Sequence, residues 1–211
     1  GTQGLSTQDL QDAAVLGMKE CATQLTRPLK TVGISNLQTW ADQLINQDNR
    51  QSWLHIFDDP KGLFPVLCTL YESIRLNGTG GFALRKLYSD FLHETASLLG
   101  NPELNAAAAQ YLQLSNHWAN LAENALPSRL PVFDRVKNLL NKQYEAYRSF
   151  DLETFQKSSE NLKELSTNIN NEFPMNKDEI KSLFEKLSNQ LQLISELETA
   201  AARYLHKISR R

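Results

Sequence analysis

The spacing of apolar residues along the chain is helical almost from end to end. Leu10, Ala13, Ala14, Met18, Cys21 and Leu25 recur by threes and fours, behind Ser6 or Thr7 as a cap, until Pro28 stops the run. Ser35 is placed to cap a second helix carrying Leu37, Trp40, Ala41, Leu44 and Ile45 on one face, and Asp48 or Asn49 opens a short segment with Trp53, Leu54 and Phe57. Asp59-Pro60 reads as an N-cap and first-turn proline for a helix over Phe64 to Leu76 that is apolar round much of its surface. That breadth predicts a central helix with neighbours on several sides.

Asn77-Gly78-Thr79-Gly80-Gly81 ends this helix, and Leu84, Leu87, Tyr88, Phe91, Thr95 and Leu98 supply the next buried stripe up to Gly100. Asn101-Pro102-Glu103 starts another, through Leu104, Ala107, Ala108, Tyr111, Leu114, Trp118 and Leu121 to Pro127. Its alanine run, Ala106 to Ala109, predicts close approach of a neighbouring helix.

Beyond Gly100 there is no glycine, so the remainder should form long helices broken only near Pro127, Pro131 and Pro174. Val132, Val136, Leu139, Leu140, Tyr144 and Tyr147 mark one; Asp151 caps another with Phe155, Leu162, Leu165 and Ile169. Asn176 with Glu179 resembles a capping box at the head of a final helix with Ile180, Leu183, Leu187, Leu191, Ile194, Leu197, Tyr204 and Ile208. The pattern predicts an antiparallel seam from the last long helices, serving as an internal scaffold or as a homodimer interface. No β-type alternation is sustained. The expected fold class is all-α: a multi-helix orthogonal or antiparallel bundle, with a region over 1–126 and a long-helix hairpin over 127–211 packed on it as one domain.

Composition narrows the function classes. Over 211 residues the formal charge is −2 and the isoelectric point about 6.1, which gives no long-range attraction for nucleic acid. Only the end of the chain, Arg203 to Arg211, is basic, as suits a helix C-terminus. No apolar run approaches the length of a membrane helix. Two cysteines, Cys21 and Cys68, in neither a C-x-x-C nor a metal-ligand spacing, point to a reducing, cytoplasmic setting. The first residues, Gly-Thr without methionine, suggest an artificial or processed start.

Candidate chemistry is sparse. Both cysteines lie on apolar stripes and read as packing residues, so no catalytic residue is expected. Asp90-x-x-His93 beside Glu94 has one-turn spacing, but without the partner motif and inward carboxylates a di-iron bundle needs; neither metal nor cofactor is expected. Two sets of residues remain as ligand-binding candidates. Gly78, Thr79, Gly80 and Gly81 could present backbone N–H groups to an anion, although glycines in such a connector also simply permit a sharp turn. Glu72, Arg85, Tyr88 and Asp90 could meet between two helices, as a register-fixing ion-pair network or as a ligand-orienting cluster.

The stretch Tyr71-Glu72-Ser73-Ile74-Arg75-Leu76-Asn77-Gly78-Thr79-Gly80-Gly81, then Leu84-Arg85-Lys86-Leu87-Tyr88-Ser89-Asp90-Phe91-Leu92, carries more than periodicity. With Ala106-Ala107 through Tyr111 to Trp118, and Gly33-Ile34-Ser35-Asn36-Leu37 leading to Trp40-Ala41, it resembles the C-terminal helical domain of unknown function in butirosin-biosynthesis acyltransferase-like proteins. The resemblance covers Leu5 to Leu126. It implies an accessory or substrate-binding domain in bacterial secondary metabolism, partnered with a cysteine-dependent catalytic lobe and an acyl carrier protein. That lobe's nucleophile is not matched by either cysteine of this sequence. The competing expectation is a stand-alone helical interaction or dimerisation module without enzymatic activity.

Overall fold

The computed structural model describes residues 6–27, 33–76 and 82–209. Among them every regular element is helical, as the spacing predicts, and no helix is long and apolar enough to cross a membrane.

Helix α1 (Thr7–Thr26) opens with a capping box: Ser6 Oγ accepts from the Asp9 backbone N–H at 3.1 Å, and the Asp9 carboxylate accepts from the Ser6 N–H at 2.9 Å. Gly33, in the left-handed region at φ 105°, leads into α2 (Ser35–Ile45). A Cβ there would lie 3.0 Å from the Arg27 carbonyl oxygen, so the turn needs glycine. Ser35 is not the cap expected of it. It is the first helical residue, and Ile34 occupies the capping position without a side-chain acceptor.

Two further starts are corrected. Asn46 and Asn49 form side-chain turns to the Asp48 and Gln51 N–H groups, and Ser52 stands ahead of α3 (Trp53–Ile56). Asp59 accepts from Lys61 N–H at 3.2 Å in a turn that precedes α4 (Leu63–Arg75), whose N-cap is left-handed Gly62. Pro60 fixes that turn rather than the first turn of the helix.

A 3-10 turn (Phe82–Leu84) enters α5 (Arg85–Leu99), which Gly100 closes at φ 62°. Helix α6 (Glu103–Ala125) follows at once, with Asn101 Oδ1 accepting from Glu103 N–H at 3.1 Å. The alanines work as expected: Ala107 and Ala108 are buried against α5, and Ser89 Oγ donates to the Ala108 carbonyl at 2.7 Å. Helices α7 (Pro131–Arg148) and α8 (Leu152–Asn171, capped by Asp151) form a hairpin.

Helix α9 (Lys177–Ile208) has the Asn176–Glu179 capping box and spans about 48 Å at the usual rise per residue. Its seam lies chiefly against α2, α6 and α1 rather than against α8. The long helices are therefore one hairpin and one pillar, since α7 and α8 pack on each other while α9 packs on α2, α6 and α1.

Two apolar clusters share α6 and α9. The larger is built around Leu67, Tyr71, Leu121, Phe133, Phe184 and Leu191; the smaller around Met18, Leu92, Leu104, Tyr111, Leu114 and Leu205. Each fully buried large side chain contributes roughly 1.5–3 kcal/mol, so this double core supplies the main driving force. At the junction between the clusters sits a charged group.

Candidate functional site

The seam of α9 runs Leu187, Leu191, Ile194, then Glu198, Ala201, Ala202 and Leu205. Glu198 is fully buried, while the neighbouring Leu197 is only half-buried. The apolar residue of that pair is the natural choice for a seam, and the structure chooses the acid. The choice is possible because partners wait there: Arg85 Nε donates to Glu198 Oε1 at 2.6 Å, and Trp118 Nε1 donates to the same oxygen at 2.9 Å. The Arg85 guanidinium also lies over the Trp118 ring, 5.7 Å from its centroid.

Arg85 is delivered by a strained piece of backbone. Phe82, Ala83 and Leu84 are consecutive non-glycine residues with φ of 59°, 49° and 69°. Left-handed backbone costs such residues roughly 1–2 kcal/mol each. It is retained here with two visible anchors: Arg85 Nη1 donates to the Ala83 carbonyl at 2.7 Å, and Arg75 lies 4.9 Å from the centroid of the Phe82 ring. Strain of this kind gathers where function fixes a geometry.

Arg85 forms part of the wall of a cavity of about 750 Å³ between α1 and α5, with Tyr111 of α6 also lining it. Gly17, Cys21 and Leu25 line it from α1, where a spacing of four puts them on one face. Leu87, Tyr88 and Phe91 line it from α5. Its walls are mostly apolar, and its size is that of a small-molecule site.

Behind this wall lie buried polar atoms that are incompletely satisfied. Tyr88 and Tyr111 pack edge to face with centroids 4.7 Å apart, and both hydroxyls are buried. The Tyr111 hydroxyl and Glu198 Oε2 have no hydrogen-bond partner among the described residues, and the Tyr88 hydroxyl has beside it only the weakly bonding Cys21 thiol. Burial raises both phenols above their usual range, and burial also raises the Cys21 thiol against the opposing pull of Tyr88 and Arg85. Cys68, on α4, is pushed up to about 12, first by burial and then by the Glu72 charge. At neutral pH these groups are hydrogen-bonding, uncharged side chains, and both cysteines are thiols rather than thiolate nucleophiles.

The candidate residues read from the sequence separate. Arg85 and Tyr88 share the cavity. Asp90 lies at its edge and pairs with Lys86 at 2.9 Å on the exposed side of α5. Glu72 is elsewhere, in a groove with Leu76, Leu140 and Tyr144, and the acid that meets Arg85 is Glu198. Gly78, Thr79, Gly80 and Gly81 lie outside the described residues. His93 pairs with Asn105 Oδ1 at 2.8 Å.

Burial raises the carboxyl of Glu72 above its ordinary value of 4.5. A carboxyl whose folded pKa is raised favours folding fully at pH below the unfolded value, and that contribution is lost as pH rises through the folded one. Glu72→Gln should therefore gain stability relative to the natural protein as pH rises from 4 to 7, with little difference at pH 4. Urea midpoints measured across that range check the sign.

Residues 2–146 match the family described as Domain of unknown function (DUF4872). The chain belongs to this family. The match takes in every cavity-lining residue from Gly17 to Tyr111 and ends inside α7, so the DUF4872 segment contains Arg85 but not its partner Glu198. No match was found among curated proteins or solved structures.

Proposed function

We propose that this DUF4872 domain binds a mainly apolar small molecule in the cavity between α1 and α5, as the accessory or substrate-binding domain of a butirosin acyltransferase-like protein. The association with a cysteine-dependent lobe and an acyl carrier protein rests on the resemblance of Tyr71 to Leu92 and of the helices flanking that stretch. The binding role rests on the cavity itself: mostly apolar walls and a volume of about 750 Å³. In such an assembly the domain would position an acyl donor or acceptor and exclude water, while the nucleophile comes from the other lobe.

Gly17 offers a clean test. It lies within α1 on the cavity wall, and a Cβ there meets only Phe91 Cζ, at 4.0 Å. Leucine at this position suits a helix better than glycine by roughly 0.8–1 kcal/mol and would intrude on the cavity. Gly17→Leu is expected to stay folded and lose at least about tenfold in affinity for an environment-sensitive apolar dye, a change of roughly 1.4 kcal/mol. Equal dye binding by the two proteins, or none by the natural one, would overturn the cavity reading.

A second reading, an interaction module, has one observation in its favour. Tyr147, Phe150 and Leu152 are 70%, 90% and 72% exposed around the α7–α8 turn, with Phe150 held at φ 58°. Sedimentation as a function of concentration separates the readings, since only the second expects self-association sensitive to Phe150→Asp.

A further inference from the structure

The groove walled by α4, α7 and α8 shares no lining residue with the α1–α5 cavity, and its chemistry is different. Its volume of about 230 Å³ is too small for a whole drug-sized ligand and suits a single head group. Glu72 reaches it from the last turn of α4, where the carbonyl end of the helix already favours a cation. The side chain is half-buried, and it forms no ion pair with a basic residue among the described residues. Arg75, the basic residue of the same turn, is turned to Glu123 at 3.6 Å and to the Phe82 ring at 4.9 Å. Burial raises the Glu72 carboxyl, and a bound cation is what would favour its charged form.

Gln143 adds a second acceptor to the same groove. Its Nε2 donates to Ser159 Oγ at 2.7 Å, and Ser159 Oγ donates in turn to the Phe155 carbonyl at 2.8 Å. That relay fixes the amide and leaves Gln143 Oε1 as an acceptor without a donor among the described residues. Tyr144, Tyr147 and Phe155 complete the lining. Aromatic faces attract cations, and the Arg148 guanidinium, 5.8 Å from the centroid of the Tyr144 ring, already uses one of them in this way. An anion here would meet the Glu72 charge at close range, and a neutral group would leave that charge unpaired.

We propose that this groove binds the primary ammonium head of a small organic amine, with Glu72 and Gln143 Oε1 accepting from its N–H groups and Tyr144, Tyr147 and Phe155 supplying the rings beside it. Glu72 sets the charge preference. The two acceptors together select an ammonium that carries N–H groups over one that is fully methylated.

The test is an NMR titration of the full chain at neutral pH and fixed ionic strength, following the backbone amides of Glu72 and Tyr144. The probes share one propyl chain: propylammonium, propyltrimethylammonium, propanol and butyrate. Propylammonium is expected to give saturable shifts and to bind at least about tenfold more tightly than propanol or butyrate. Glu72→Gln keeps the shape of the side chain and should weaken propylammonium at least about tenfold, and Phe155→Leu should weaken it about fivefold. Arg148→Ala should instead tighten binding about twofold, because it removes a competing cation, and a purely structural role for these residues would not give opposite signs. Binding of propanol or butyrate as tight as that of propylammonium overturns the proposal, as does unchanged binding by Glu72→Gln or the absence of saturable shifts. Equal binding of propyltrimethylammonium overturns the assignment to a primary ammonium. All of these outcomes leave the α1–α5 cavity reading where dye binding by Gly17→Leu puts it.

Discussion

Arg85→Met should destabilise the protein by about 3 kcal/mol at neutral pH, because it leaves the carboxylate of Glu198 buried with only the Trp118 N–H against it. Glu198 is fully buried and Arg85 keeps 19% of its side chain exposed, so the arginine is the less costly member to hold in place and the glutamate the more costly to abandon. Adding Glu198→Gln to Arg85→Met removes the stranded charge and keeps an acceptor for Trp118 Nε1, so the double variant should recover about 2 kcal/mol of the loss. Urea denaturation measures both numbers, provided the slope of the transition is unchanged. A single variant losing less than about 1 kcal/mol would mean that Glu198 finds another partner. A double variant no better than the single would mean that Arg85 acts through packing on Trp118 rather than through charge.

This pair also marks where the sequence stops being informative. Helices were legible wherever local chemistry sets them: Ser6, Asp151 and Asn176 accept from the expected N–H groups, and Gly100 closes α5 in the left-handed region. Starts were misplaced where a turn and a cap use the same residues, as at Asp59-Pro60 and Ser35. The all-α class followed from periodicity, because a stripe recurring by threes and fours has no other regular solution. The site was half legible. Arg85 and Tyr88 stand in a string whose polar members an ordinary helix does not require, and both reach the cavity. Glu198, 113 residues away from Arg85 in sequence, gave only one signal, a charge in phase with Ile194 and Leu205 where the seam wants an apolar residue. Reading that signal requires knowing which helix faces α9. Tyr111 and Cys21 looked like ordinary core positions, and a cavity is a shortage of packing that no single residue announces.

Phe184→Ala tests whether α9 is the pillar that both clusters share. Phe184 is fully buried: Trp53 meets it edge-on at 5.6 Å and Phe57 lies at 6.4 Å, both at or next to the four-residue helix α3. A buried phenylalanine cut to alanine costs about 3–5 kcal/mol, from lost transfer energy and from the void left behind. A helix as short as α3 has no stability of its own, so it depends on this contact more than on its backbone hydrogen bonds. The expected result is a fall in Tm of about 10 °C, together with a red shift in Trp53 emission below the main transition as α3 loosens first. Phe184→Leu, which refills most of the volume, should restore the greater part of the Tm. If the alanine variant shifted Trp53 emission while leaving the Tm nearly unchanged, α3 would be an appendage to the bundle. In that event the pillar role of α9 would rest on its contacts with α1, α2 and α6, and the junction holding Glu198 would be insulated from this end of the molecule.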